Sequence, residues 1–160
     1  MINQIAVFLE NRKGRIGDCC EVLKHAGVNL CSMSIADTTD FGILRMMTDD
    51  NDKALSSLKA AGFMCAAVPL VAMQVPDKPG ALADILIALD KAGVNIDYLY
   101  SFAGAGEYAH IGFKTNEPQK AEKMLTEAGV KKNKKKTRHG YARAATSRRG
   151  GIGRRAGLKI

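Results

Sequence analysis

Two short loops carry the residues best suited to ligand chemistry, and they occur at equivalent places in the chain. The first is Asn11-Arg12-Lys13-Gly14-Arg15-Ile16, and the second is Asp77-Lys78-Pro79-Gly80-Ala81-Leu82. A glycine without Cβ lets backbone N–H groups approach a ligand closely, and the start of a following helix favours an anion. An Asn or Asp beside these groups can accept a hydrogen bond from an ammonium group. The combination suits the carboxylate and the ammonium of an amino acid.

The loops belong to an internal repeat that covers about the first 130 residues. Residues 24–30 (KHAGVNL) match residues 90–96 (DKAGVNI) at an offset of 66, and residues 61–62 match 128–129 at an offset of 67. The change of offset indicates one inserted residue, most simply in the turn at residues 103–106, which corresponds to residues 37–40. Because equivalent residues match at a nearly constant offset over this length, the sequence indicates a duplicated unit.

Both copies predict the same order of elements. Apolar β-rich runs and apolar residues at helical spacing alternate with glycine-containing turns. In order, the predicted strand, helix, two strands and helix are residues 2–9, 16–23, 28–36, 43–47 and 51–61 in the first copy, and 70–75, 82–89, 94–102, 108–113 and 118–128 in the second. In both copies Ala-Gly, at residues 26–27 and 92–93, ends the first helix, and the glycine suits the left-handed position after a helix C-terminus. A fourth strand is predicted at residues 63–67, with Val68-Pro69 as a linker, whereas no fourth strand follows Gly129.

This order predicts an α+β fold of two ferredoxin-like βαββαβ units. Their antiparallel sheets are expected to lie side by side, with helices on one face. The expected domains are residues 1–67 and 68–130, followed by a basic tail at residues 131–160.

The loop glycines, each followed further along by Ala-Gly-Val-Asn, resemble the ACT domain. In the second copy the motif is residues 76–82 with residues 92–96, and in the first it is residues 9–16 with residues 26–30. The resemblance implies a free-standing tandem ACT protein without a catalytic domain. ACT domains usually bind amino acids and regulate enzymes of amino-acid metabolism.

The first copy is similar to the serine-sensing ACT domain of phosphoglycerate dehydrogenase, in which a loop Asn and the Asn of Gly-Val-Asn hold the effector across a domain interface. Leu9 replaces that family's histidine and Lys13 its loop proline; in the second copy Val75 stands in the histidine's place, but the loop proline is kept. The resemblance implies ligand-binding residues at Asn11, Lys13, Gly14, Arg15, Ile16 and Asn29, and at Asp77, Pro79, Gly80, Ala81, Leu82 and Asn95.

A structural interpretation of the same residues stays open. Asn11 and Asp77 could cap helices or hold turns, with the glycines only shaping the loops. Asn29 and Asn95 could begin the second strands through Asx turns. Either role would explain these residue types without a ligand.

The net charge of +8 is the sum of two unlike regions. Residues 1–130 hold 12 Lys and Arg and all 16 acidic residues, whereas residues 131–160 hold the other 12 Lys and Arg and no acid. The tail could be a solvated basic arm or a cloning remnant. Residues 151–160 can also be written in codons that resemble the D-arm and anticodon region of a bacterial leucine transfer-RNA gene, so a frameshift or read-through near residue 130 is a third hypothesis.

Nothing in the sequence indicates a catalytic, metal or cofactor site. The histidines (His25, His110, His139) are scattered, and the four cysteines lack metal spacing and are expected to be reduced thiols in the cytoplasm. No apolar run approaches the length of a membrane span. We therefore predict a non-catalytic, amino-acid-binding regulatory protein, homodimeric, with a partner enzyme of amino-acid metabolism as a further candidate.

Two other classes remain as alternatives. One is a protein-interaction module that regulates a partner without a ligand of its own. The other, more remote, is an RNA-binding protein, because RNA-recognition motifs share the strand order. Residues 43–47 and 109–113 lack the basic-aromatic signature of those motifs, and the region is acidic, so nucleic acid is not the expected partner.

Overall fold

The computed structural model describes residues 1–37, 40–102 and 107–131. Half of the first predicted hairpin turn, at residues 38–39, all of the second, at residues 103–106, and the tail at residues 132–160 lie outside the described residues. The elements in chain order are β1 (Ile2–Glu10), α1 (Arg15–His25), β2 (Leu30–Asp37), β3 (Phe41–Thr48), α2 (Asn51–Ala60), β4 (Met64–Pro76), α3 (Ala81–Lys91), β5 (Tyr98–Ser101), β6 (Tyr108–Lys114) and α4 (Pro118–Glu127).

The strands form one antiparallel, curled sheet with the order β2-β3-β1-β4-β6-β5. Unit one supplies β2-β3-β1 and the first half of β4, and unit two supplies the second half of β4 with β6 and β5. This order is that of two ferredoxin-like units, so the predicted fold class is confirmed. The second strand of unit two is shorter than predicted, because residues 94–97 and Phe102 are not part of the strand.

Strand β4 merges two strands that the sequence analysis kept apart. The predicted linker, Val68-Pro69, lies inside it, paired with Gln4 and Asn3 of β1. Strand β6 pairs with β4 only from Val71 onward, so the missing N–H of Pro69 removes no bond from that ladder. The predicted boundary between residues 67 and 68 therefore falls within a continuous strand.

Each unit packs its two helices on the same face of the sheet. Cys65 contributes to the core under α1 and α2, whereas Val71 and Met73 contribute to the core under α3 and α4. These three residues alternate on one side of β4, which places both helix pairs on one face, as predicted. A third cluster lies on the opposite face and joins the units; it contains Ile2, Met47, Leu70, Ala72 and Phe102.

The chain enters the position of a fourth strand in unit two at its last described residue. The N–H of Gln74 donates to the carbonyl oxygen of Lys131 at 2.9 Å. The equivalent pair in unit one is Phe8 and Met64, the first pair between β1 and the fourth strand of that unit. Val130 packs against the core of unit two, as Phe63 does in unit one. The repeat thus continues to Lys131, one to two residues beyond its limit in the sequence pattern.

Candidate functional site

The two candidate loops have the same backbone conformation. Gly14 has φ 92° and ψ −20° and precedes α1, and Gly80 has φ 85° and ψ −22° and precedes α3. These angles lie in the left-handed region that favours glycine. A Cβ at either position would meet no atom within 4 Å, so the backbone angle and not the available space requires the glycine.

Matching hydrogen bonds fix both loops to the neighbouring strand. The N–H of Asn11 donates to the carbonyl oxygen of Asp40 at 2.9 Å, and the N–H of Asp77 donates to that of Glu107 at 2.8 Å. The first hydrogen bond of the helix that follows each loop also matches between the units, and it measures 3.0 Å in both. The duplication seen in the sequence is therefore also a duplication of loop geometry.

Both helices begin at a glycine. Gly14 and Gly80 are the N-cap residues of α1 and α3, and a glycine has no side chain that could accept from the first turn. In α2, by contrast, Asp50 accepts from the N–H of Lys53 at 3.1 Å. The N-cap position therefore belongs to these two glycines, whereas the interpretation of Asn11 and Asp77 as turn residues stays open. The N–H groups of the first helical turn can receive a carboxylate.

The predicted loop residues differ in exposure between the units. Arg15 is half-buried and Ala81 is buried, and Leu82 packs against the core of unit two. The remaining loop residues are exposed: Asn11, Lys13, Gly14, Ile16, Asp77, Pro79 and Gly80.

The asparagines of the two Gly-Val-Asn segments lie far from the loop of their own unit. The N–H of Asn29 donates to Asp49 at 3.0 Å, and the amide of Asn95 donates to Asp97 at 3.3 Å. Strand pairing places both asparagines near the level of the Asn3–Pro69 pair. Each loop lies at an outer end of the sheet and begins about 26 Å from that level, at about 3.3 Å per residue. The structure thus separates loop and asparagine within each unit, and the two loops from one another.

A hollow lies at the outer edge of each unit, between the first helix and the second strand. The hollow in unit one measures about 220 Å³ and is lined by Cys20, Val28 and Leu30 among others. That in unit two measures about 580 Å³, and its lining includes Leu86 and Asn95. Of the predicted residues, Asn95 therefore contributes to a concave surface at the edge of the sheet.

Comparison with known proteins identifies the family. Residues 1–137 match the family described as "ACT domain pair". The chain belongs to this family. A protein of solved structure from Bacteroides thetaiotaomicron is 38% identical, with 80% of this chain and 88% of that chain covered and a TM-score of 0.75. No curated protein matches the sequence.

Two more distant structures share the fold. The ligand-free regulatory subunit of aspartate kinase from Thermus thermophilus is 14% identical, with 79% of this chain and 91% of that chain covered and a TM-score of 0.58. The corresponding subunit from Thermus flavus is also 14% identical, with 79% and 92% covered and a TM-score of 0.55. The ACT pair described here thus has the fold of these regulatory subunits.

The charges of the two ACT loops are unlike. Residues 11–16 contain three cations and no acid, whereas residues 77–82 contain one of each. The Arg12 side chain pairs with Glu10, and the guanidinium of Arg15 pairs with Asp18 at 3.3 Å. Arg15 also lies over the ring of Phe63, with 4.8 Å to the ring centroid. The first loop is therefore the better one for an anionic group.

A buried polar network that the sequence analysis missed connects the two ACT units. Gln4 is fully buried on β1; its amide donates to the hydroxyl of Tyr98, and its carbonyl oxygen accepts from Tyr100 at 2.6 Å. The Arg45 guanidinium lies 4.1 Å from the centroid of the Tyr98 ring. A glutamine at a position of β1 where the alternation places its side chain on a covered face of the sheet is the signal that could have indicated such a network.

Burial affects the cysteine thiols among the described residues of the ACT pair. Burial raises the pKa of the Cys19 thiol to about 12, with smaller contributions from Cys20 and Cys65, and burial also raises the pKa of Cys31. Thiols of this kind stay protonated and unreactive near neutral pH. No group of His, Cys, Asp and Glu in the described residues could hold a metal ion. Among these residues, no helix is long and apolar enough to cross a membrane.

Proposed function

We propose that this ACT pair is a non-catalytic, cytoplasmic regulatory protein that binds an amino acid effector at its glycine loops. The observation that carries the proposal is the repeated loop, in which a helix with a glycine N-cap begins beside Asn11 in unit one and beside Asp77 in unit two. The helix start would receive the α-carboxylate, and the side-chain oxygen would accept from the α-ammonium. The effector would act by favouring one packing of the units over another.

The effector site requires a second copy of the chain. Asn11 and Asn29 lie about 26 Å apart along one sheet, so one small ligand cannot contact both within a unit. A homodimer that places the loop of one protomer beside the Asn29 of its partner would bring them together. Strands β2 and β5 are the sheet edges available for such an association.

Loop charge favours unit one as the stronger site. Lys13 is exposed beside the uncapped start of α1, whereas Pro79 occupies the equivalent position in unit two. An added cation near a helix N-terminus strengthens carboxylate binding electrostatically. We therefore expect the loop of unit one to bind the α-carboxylate more tightly.

Calorimetric titration of the full chain with each of the twenty amino acids tests the proposal. We expect saturable heat with at least one of them, together with a rise in melting temperature. Asn11→Ala and Asn29→Ala should each abolish the tighter binding, which we assign to unit one, whereas the control Asn116→Ala, an exposed position outside the loops, should leave it unchanged. The absence of heat and of a melting shift with all twenty would contradict the proposal.

A second candidate is a ligand-free module that binds a partner enzyme of amino-acid metabolism. It is favoured by an apolar patch on the helix-free face of unit one, in which Phe8, Phe41 and Met64 are 46%, 58% and 73% exposed. Large exposed apolar patches mark interaction sites. In this case Asn11→Ala combined with Asp77→Ala would leave partner binding intact, whereas Phe8→Ser with Met64→Ser would weaken it.

A further inference from the structure

A hollow lies beside the glycine loop of unit two, whereas the equivalent place in unit one is filled. It measures about 320 Å³, within the range of about 300–1,000 Å³ that is typical of small-molecule sites. Lys78, Ala81, Asp84, Tyr108 and Val130 are among its lining residues. A second hollow of about 160 Å³ shares the last part of this wall, including Asp84 and Val130, and extends between α3 and α4.

The equivalent place in unit one is filled by a guanidinium group. Arg15 lies over the ring of Phe63 and pairs with Asp18 at 3.3 Å. By the repeat, Arg15 corresponds to Ala81, and Phe63 corresponds to Val130. Both replacements remove volume, which accounts for the open space in unit two.

The acidic partner of this guanidinium is retained where the guanidinium is lost. Asp84 of unit two corresponds to Asp18, and its backbone N–H makes the same bond to the preceding glycine of the loop. The carboxylate of Asp84 is exposed and lines the hollow. The Asp84 carboxylate can therefore pair with a cationic group of a ligand, as the Asp18 carboxylate pairs with the guanidinium of Arg15.

The rest of the wall suits the other groups of an arginine. The Tyr108 ring supplies an aromatic surface, and the ammonium of Lys131 lies 5.4 Å from its centroid. Lys78 and the uncapped start of α3 provide positive potential for a carboxylate. A carboxylate acceptor and these donors lie around the same space.

We propose that the hollow of unit two binds a guanidinium group in the position that Arg15 occupies in unit one. The proposal rests on the proposed function and names the chemical class of one ligand. The guanidinium comes either from free arginine or from an arginine of residues 132–160 in the same chain. Because Asp84 is exposed, the ion pair contributes little by itself, and we expect binding in the millimolar range, about 1 mM.

Calorimetric titration of the full chain with L-arginine and with L-citrulline, which has the same shape without the charge, tests the proposal. We expect arginine to bind and citrulline to bind at least about tenfold more weakly. Asp84→Asn should weaken arginine binding by about two- to fivefold, as expected for an exposed ion pair, and Asp18→Asn, the matched control in unit one, should not. Ala81→Arg combined with Val130→Phe should fill the hollow and abolish binding.

A second variant of the full chain distinguishes the two sources of the guanidinium. It replaces every arginine of the tail by glutamine, at Arg138, Arg143, Arg148, Arg149, Arg154 and Arg155. Arginine binding that is equal in the parent chain and this variant assigns the hollow to the free amino acid. Binding that appears or tightens only in the variant assigns it to the chain's own tail.

The outcomes also separate this proposal from the proposed function. No arginine binding to either chain, or binding that Ala81→Arg with Val130→Phe leaves unchanged, would overturn the guanidinium site. If another amino acid then binds in a manner that requires Asn11 and Asn29, the proposed function stands without it. Arginine binding that survives Asn11→Ala shows that the hollow acts separately from the site between protomers.

Discussion

The two ACT units have the same loop backbone but fill the space beside it differently. In unit one the guanidinium of Arg15 lies over Phe63, whereas Ala81 and Val130 leave a hollow of about 320 Å³ in unit two. The φ angles of the loop glycines differ by only a few degrees, at 92° and 85°. The duplication has therefore kept the main-chain geometry of the loop and changed the side chains around it.

The difference shows which loop features are independent of the surrounding side chains. The helix start without a side-chain cap and the left-handed glycine occur in both units, so the filling of the neighbouring space does not determine them. Charge and volume vary between the units and can give each one a different ligand or none. The comparison predicts that a change of backbone conformation has the same effect on stability in both units. A change of side chain is expected to have different effects in the two units.

The largest expected effect concerns the link between the units. Gln4→Ala removes the buried amide that satisfies the hydroxyls of Tyr98 and Tyr100. Leaving buried polar groups without partners should lower the free energy of unfolding by about 3 kcal/mol. Urea denaturation measures this, with the exposed Gln119→Ala as control. A loss as small as that of the control would show that the network does not hold the units together.

The loop glycines should respond equally. Gly14→Ala and Gly80→Ala each force a Cβ into the left-handed region, and each should cost about 1–2 kcal/mol of stability. Gly17→Ala, in a helical position with free space around it, should instead be neutral or stabilising. Thermal unfolding of the three variants measures these changes. Clearly different costs at Gly14 and Gly80 would contradict the equivalence of the two loops.

The Arg15 side chain should have a smaller effect that has no counterpart in unit two. Arg15→Ala removes a cation–π contact and a partly exposed ion pair, for a loss of about 1 kcal/mol. It should also open a hollow in unit one, so added L-arginine should raise the melting temperature of this variant more than that of the parent chain. Arg12→Ala, which removes only an exposed ion pair, serves as the control. An identical arginine response in Arg15→Ala and the parent chain would count against the filling role of Arg15.

The smallest effect at neutral pH arises from a titratable group in only one unit. Cys19 is buried in unit one, and the residue equivalent to it is Ile85. Because burial raises the pKa of this thiol from about 9 to about 12, its contribution to stability is complete below pH 9 and is lost as the pH rises toward 12. Cys19→Val should therefore flatten the decline of unfolding free energy between pH 9 and 11, measured by urea titration. Parallel curves for the parent chain and the variant would show that the thiol does not titrate as described.

The repeat pattern was sufficient to predict the fold and the glycine positions. Helical periodicity, the Ala-Gly helix ends and the strand order depend on local sequence, and Gly27 and Gly93 have the positive φ expected at helix C-termini. The continuity of β4 could not be predicted in this way. Pro69 indicates a break in a sequence, but it is tolerated here because β6 pairs only beyond it.

The candidate site could be predicted only in part, because it depends on long-range packing. The loop conformation follows from the motif, whereas the distance between Asn11 and Asn29 follows from strand register across β1, β3 and β2. The hollow beside Ala81 requires knowledge of what Arg15 does in the other unit. The pairing of Gln4 with two tyrosines about a hundred residues away also depends on the curling of the sheet.

Subunit mixing tests the central claim, an effector site shared between protomers, most directly. Asn11→Ala and Asn29→Ala chains are unfolded together, refolded as a mixture and titrated with the amino acid that the parent chain binds. If loop and asparagine come from different protomers, mixed dimers contain an intact site and part of the binding returns, although neither variant binds alone. If the mixture binds no better than the separate variants, the site does not join Asn11 of one protomer to Asn29 of its partner.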